Sequence, residues 1–428
     1  MASSDEGLQM TETLTARVGA PTLKLRYDPL DPDVLENPYP TYKRLRDSGR
    51  LSRGGPGQWV ATHYDDVAAL LHDPRLSHEF PPEYRQFSLG NGPASEFFGR
   101  IILTREPPAH TRLRQIMSAA FSASIVRRLH DFIERLVAEL LDPALDRGHL
   151  DAVADLAYPI PVLVICELIG SPPIDRHEIR PRATDLAKAF GTYVGDADRR
   201  AADAAVVWLR NYVALLLDER RKHPGDDLLS QMLAGKGSDR LTPDEIVDNV
   251  VFMFFAGFET TMNVIATGCA TFLQYPDAIA RLRADASLMP TAVEEVLRYD
   301  APIQSVTRLV LQPIQIGGQT IRPGRALVLI LGSANHDERH FNRPELFDIT
   351  RKPNMHVSFG GGIHHCLGAL LARMEAAITF STLIRRCSSL EPAGAATRRP
   401  SVGFRSYASI PLAIRPAGAL QVARRPWR

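Results

Sequence analysis

Residues 359–368 read Phe-Gly-Gly-Gly-Ile-His-His-Cys-Leu-Gly, and this loop constrains the chain more than any other stretch. Consecutive glycines clear the space around one thiol, Cys366, and His364 stands two residues before it. Without Cβ atoms the loop backbone reaches conformations closed to other residues and lets a flat group lie against it. Residues 369–376 continue with helical spacing. The amides opening such a helix turn a positive dipole toward the sulfur, which favours thiolate over thiol. A buried structural cysteine in a turn is the plainer alternative. The ten-residue pattern weighs against it, because the spacing must serve a mechanism.

The rest of the chain is read around that loop. With 428 residues, 45% of them hydrophobic, it can bury a large core. A net charge of +1 gives no general attraction to nucleic acid or to an anionic membrane. Cys166, Cys269, Cys366 and Cys387 are widely spaced, so a reducing compartment fits better than a disulfide framework. The first 20 residues are polar, without the apolar run of a signal peptide or anchor. Residues 250–275 are apolar enough to span a bilayer, but Glu259, Asn263 and Gln274 interrupt them. Thr242-Pro243-Asp244-Glu245 just upstream is a capping box with proline at the first helical position, as expected for a helix through the centre of a globular protein. Helical spacing recurs at 38–53, 65–71, 129–141, 161–168 and 201–221. Strand patterns occupy 58–62, 306–311, 314–316 and 326–331, with Gly317-Gly318 as a turn, and 77–91 reads as a long loop. The expected fold class is mainly α with small β-sheets, in a single domain over 28–428 after a flexible leader at 1–27.

The cysteine loop resembles the haem-ligand loop of the cytochrome P450 family at every fixed position, and the resemblance extends from about residue 28 to residue 412. It implies a haem b cofactor with Cys366 as axial thiolate and metal ligand, and Phe359, His364 and Gly368 at the haem. Ala256-Gly257-Phe258-Glu259-Thr260-Thr261, inside the apolar helix, resembles the family's oxygen-activation motif. Burying an acid and a hydroxyl in such a helix is costly, which function would justify; a satisfied glutamate and a threonine bonded back to its own helix is the alternative, and the cysteine loop tips the choice to function. The resemblance gives Thr260 and Glu259 catalytic proton handling and sets Ala256 against the haem. It also implies that His110, Arg114, Arg308 and His364 hold the haem carboxylates, a task suited to cations and imidazoles. Glu295-x-x-Arg298 matches a structural network whose third member is an arginine; the usual position holds Leu346, leaving Arg343 or Arg351.

The expected activity is a haem-thiolate monooxygenase that hydroxylates or epoxidises a medium-to-large hydrophobic small molecule, with bacterial secondary metabolism as the expected setting. A different oxidation on the same haem, or a non-catalytic haem protein, are the alternatives, and the Glu259-Thr260 pair argues against both. No flavin, nucleotide or iron–sulfur motif is visible, so electrons are expected from a separate ferredoxin and ferredoxin reductase. The enzyme should be a cytoplasmic monomer with neither nucleic-acid nor membrane partners. Arg112, turned outward, Lys352 and Arg373 are candidates for a basic docking surface. By position in the family, residues 80–98, 186–194, 303–306 and 404–407 surround the substrate. They bring Phe80, Phe87, Phe97, Phe98, Phe190, Tyr193, Phe404 and Tyr407, joined by Phe252, Phe255 and Phe258 of the central helix. Gln304 and Arg405 are the polar groups expected to orient an oxygen-bearing substrate.

Overall fold

The computed structural model describes residues 25–119, 123–189, 194–234 and 240–418. Helices carry most of it, and four small sheets lie among them. The longest helix, Pro243–Gln274, runs through the core. Its start is fixed as the sequence predicts: Thr242 Oγ1 accepts from the Glu245 amide (3.2 Å), and Glu245 Oε2 accepts from the Thr242 amide (2.8 Å). This helix and the stretch Ala152–Ile169 are long and apolar enough to cross a membrane, but most of each apolar window is buried within the protein. Buried Val250, Val251, Phe254, Ile265 and Phe272 show why the segment is apolar nearly all round.

The helix that follows the cysteine loop, Ala369–Arg386, packs against the central helix. Gly268 permits this approach, because a Cβ there would run into the Phe380 ring. Helices Ala123–Arg147, Pro159–Ile169 and Asp196–Lys222 contain the three predicted helical stretches of that region. The main sheet orders its strands as Leu51–Arg53, Gln58–Ala61, Ala326–Ile330, Ser305–Val310 and Leu76–Ser77. The expected strand Ile314–Ile316 turns at Gly317 and Gly318, both at positive φ, and pairs with Gln319–Ile321, a strand the sequence pattern does not mark.

Three boundaries differ from expectation. The helix expected over 38–53 is Tyr39–Ser48, and Leu51–Arg53 beyond it is a strand. The 77–91 loop contains the helix Pro82–Leu89, and a second helix, Pro93–Phe97, follows. The prolines sit in the first helical turn, where no amide partner is needed, and Gly90 at φ 74° ends the first helix. They open these helices, whereas the composition of the segment suggests loop. The leader also ends earlier than residue 27: Tyr27 is buried, and its amide donates to the Arg53 carbonyl (2.8 Å). Residues 1–24 lie outside the described residues.

Candidate active site

The cysteine loop is tightly folded. The Cys366 amide donates to the Phe359 carbonyl (3.0 Å), and Gly360 and Gly362 hold φ of 70° and 64°, which a side chain would strain. Gly368 caps the following helix, and the Arg373 guanidinium lies 4.3 Å from the centre of the Phe359 ring. Cys366 is exposed on one side, while Cys166, Cys269 and Cys387 are buried. Protein surrounding its sulfur on the other sides pushes the thiol up, against the Gly368 amide, Arg114 and Arg373, which favour thiolate. Burial alone pushes Cys269 up to about 12, and it dominates at Cys166, also about 12, and Cys387, about 11, which leaves them unsuited as ligands.

Beside this loop lies a cluster of two arginines and three imidazoles, in which His110 and Arg308 are buried and His78, Arg114 and His364 half-buried. The His364 ring centre is 4.6 Å from that of His110 and 4.6 Å from that of His78, edge-on in both cases. Glu106 is the nearby acid: it accepts from the Ser77 hydroxyl (3.0 Å) and the His78 amide (2.7 Å), and lies 3.5 Å from His364 Nε2. That last approach is within ion-pair distance but outside hydrogen-bond geometry, so the buried His364 Nε2 has no hydrogen-bond partner among the described residues. Arg308 is buried and, among the described residues, donates only to its neighbour's carbonyl, Thr307 (3.2 Å). Among the described residues no carboxylate lies within ion-pair distance of Arg308 or Arg114. Burial lowers Arg308 to about 10, against the pull of Glu106. It lowers His110 to about 4, helped by His364 and Arg114, and takes His78 well down beside Arg308, His364 and His110. Such a cluster calls for an anion, and a pair of carboxylates suits it. All four expected carboxylate-binding residues therefore come together. His78 joins them unforeseen; it follows the short strand Leu76–Ser77, and no local pattern marks it.

On the central helix, Phe252, Ala256 and Thr260 are partly open while Phe255, Phe258 and Glu259 are buried. Spacing by four places the open residues on one face. Thr260 Oγ1 donates to the Ala256 carbonyl (2.9 Å), the ordinary bond of a helical threonine, and its lone pairs remain available as acceptors. Glu259 is ion-paired to Arg399, a residue with no place in the sequence expectation, and its Oε2 is buried without a partner.

The structural network is completed by Arg351. Its Nε lies 3.2 and 3.1 Å from the two oxygens of Glu295, which Arg298 also holds at 2.8 Å. Arg343 offers its carbonyl, not its side chain.

Several other expectations are corrected. Arg112 does not face outward as a docking charge: it pairs with Glu245 (3.1 Å from Nη1) and donates to the Arg240 carbonyl (3.2 Å), holding its helix to the start of the central helix. Arg373 is engaged by Glu294 at 2.6 and 2.9 Å. Gln304 and Arg405 do not face a substrate. Gln304 donates to the Ala301 carbonyl (2.7 Å), and Arg405 to Asp300 (3.0 Å) and the Glu36 carbonyl (2.9 Å); both are buried. Phe97 is fully buried core, Phe258 packs edge-on against Tyr158, Tyr407 is covered by Arg398, and Phe87 is 86% exposed. Phe80 stacks on Tyr84, Phe98 meets Phe255 edge-on, and Phe404 pairs with Ile303. Phe190 and Tyr193 lie outside the described residues.

Residues 177–402 match the sequence pattern of the family described as Cytochrome P450. The biotin biosynthesis cytochrome P450 of Bacillus subtilis (strain 168) is 36% identical, over 89% of this chain and 97% of its own length. The chain belongs to the cytochrome P450 family. The cytochrome P450 monooxygenase PikC of Streptomyces venezuelae is also 36% identical, over 84% of this chain and 86% of that protein. The solved structure of CalO2 superposes with a TM-score of 0.86 at 35% identity, covering 92% of this chain and all of that one. That of P450BioI with a hexadec-9Z-enoic acid-ligated acyl carrier protein gives 0.84 at 34%, covering 89% and 100%. This P450 is therefore an oxidoreductase of the haem-thiolate class, with the family's mainly helical fold and relatives in bacterial biosynthesis.

Proposed function

We propose that this P450 is a monooxygenase that hydroxylates or epoxidises a medium-to-large hydrophobic metabolite, with Cys366 as the axial ligand of haem b. The observation that carries the reading is the pairing of that thiol loop with a cluster of arginines and imidazoles in which Glu106 is the nearby acid. His110, Arg114, Arg308 and His364 would hold the haem carboxylates, and Ala256, Phe359 and Gly368 would border the ring. Bound haem iron, with thiolate pushing electron density onto it, supplies O–O cleavage. The protein contributes the rest. Thr260 presents a hydroxyl that accepts from water while donating to the Ala256 carbonyl. Glu259 supplies an acid one residue away. Phe252, Ile303 and Phe404, all partly open, would provide apolar surface suited to an apolar substrate and poor for a small ion.

The names of relatives point the same way: 6-deoxyerythronolide B hydroxylase of Saccharopolyspora erythraea is 34% identical over 82% of this chain. Electrons would come from a ferredoxin and its reductase, with the enzyme a cytoplasmic monomer. Positive charge for such a donor remains at Arg281, Arg343 and Lys352, which line a surface cleft of about 450 Å³. The test is the spin-state shift of the haem absorption with neutral hydrophobic metabolites, long-chain acyl compounds and small charged acids. Hydrophobic compounds should shift it at low concentration; tight binding of the small acids alone would overturn the substrate class.

A further inference from the structure

Glu259 lies inside the core, with a side chain 4% exposed, and the Arg399 that pairs with it is 40% exposed. The pair therefore sits at the boundary between the acid's site and solvent. Arg399 belongs to the strand Thr397–Arg399, which pairs with Ser406–Ser409. Neighbours on a strand point to opposite faces, and here each finds a different acid: Arg398 reaches Asp300 (3.1 Å) while Arg399 reaches Glu259. The connection between the strands carries Phe404, which bridges to Ile303 in a segment assigned above to the substrate. One hairpin thus touches both Ile303, in a segment expected by family position to border the substrate, and the acid of the central helix. Residues 259 and 260 point about 100° apart on a helix, so a carboxylate turned to the hairpin is turned from Thr260.

We propose that Arg399 is a positioning residue for proton delivery: it ties Glu259 to the hairpin 397–409 and releases it toward Thr260 when the hairpin shifts over bound substrate. The proposal rests on the proton roles given to Glu259 and Thr260 above. In the ion pair the carboxylate has no proton to give. Released, Glu259 takes a proton from bulk water and passes one to the water held by the Thr260 hydroxyl, returning to carboxylate; no electron moves in either transfer. The second, unpartnered oxygen of Glu259 is the atom free to face that water. Arg399 also donates to the Ser406 hydroxyl (3.3 Å), so the guanidinium moves with its own hairpin.

The test uses the holoenzyme with a surrogate ferredoxin and reductase and no added substrate. Arg399→Gln should raise NAD(P)H consumption and peroxide release about fivefold, the factor that loss of one partly exposed ion pair is worth. Arg399→Lys should return both to the parental value. On a Glu259→Gln background, Arg399→Gln should add nothing. A second readout needs no turnover: amide hydrogen exchange across 397–409 should rise in Arg399→Gln and in Glu259→Gln, and no further in the double variant. An equal rise in consumption with and without Glu259, or exchange unchanged in both single variants, overturns the proposal. Failure of the haem assignment would show separately, as a parent enzyme without a thiolate spectrum, and the exchange readout would still decide the pair.

Discussion

Replacing Arg298 and Arg351 separately by methionine should give unequal losses of stability, although both hold Glu295. The Arg298 and Glu295 side chains are fully buried. Arg298 donates twice to Glu295 at 2.8 Å, and to the carbonyls of Asn335 (2.9 Å), Pro344 (2.9 Å) and Leu346 (3.1 Å). Removing one partner of a buried ion pair costs roughly 3–5 kcal/mol, and the orphaned carbonyls place Arg298→Met toward the upper end. Arg351 is 10% exposed. Without it Glu295 still has Arg298, the Asp348 amide (2.9 Å) and Asn354 (3.0 Å). Arg351→Met should then cost about 2 kcal/mol, the scale of a hydrogen bond to a charged group. Arg343→Met should cost almost nothing, since among the described residues its carbonyl, and not its side chain, is engaged. Denaturant unfolding of the holoenzyme, with slopes compared to exclude a change in the unfolded state, measures all three. A loss for Arg351→Met equal to that of Arg298→Met, or a substantial loss for Arg343→Met, would refute this assignment of the network.

Three further outcomes are expected. His336 is buried, and burial, with Arg298 next, lowers it to about 3. Its folded form binds fewer protons than the unfolded chain between about pH 6.5 and 3, so stability should fall as pH falls through that window. His336→Gln should flatten that part of the unfolding curve, and an unchanged pH dependence would remove His336 as the cause. Thr260→Ala should keep haem content but divert NAD(P)H from product to peroxide, with coupling down by about tenfold or more, since a positioned proton-transfer group is worth roughly 10²–10⁴; unchanged coupling would return Thr260 to a helix residue. Arg112→Glu should lower the unfolding midpoint, because it sets like charge against Glu245; slowed reduction by ferredoxin without loss of stability would restore Arg112 to the docking surface.

The central helix, its cap and the cysteine loop were legible because their signals are local. Thr242 and Glu245 lie three residues apart, and the loop glycines precede the thiol they accommodate. What was hidden depends on partners distant in sequence. Arg351 could not be chosen over Arg343 because Glu295, 56 residues away, makes the choice. Arg405 and Gln304 looked like substrate contacts until Asp300 and Ala301 took them up, and Arg399 reaches Glu259 across 140 residues. Pro82 falls in the expected 77–91 loop, yet in a first helical turn proline costs nothing and there it opens a helix.

The most direct test of the account is the absorption spectrum of the reduced, CO-bound protein. The account predicts the red-shifted Soret band of a thiolate–iron complex in the parent, and its move to the histidine-ligated position in Cys366→His. A red-shifted band that persists in Cys366→Ala would contradict it, because the remaining cysteines, Cys166, Cys269 and Cys387, are all buried.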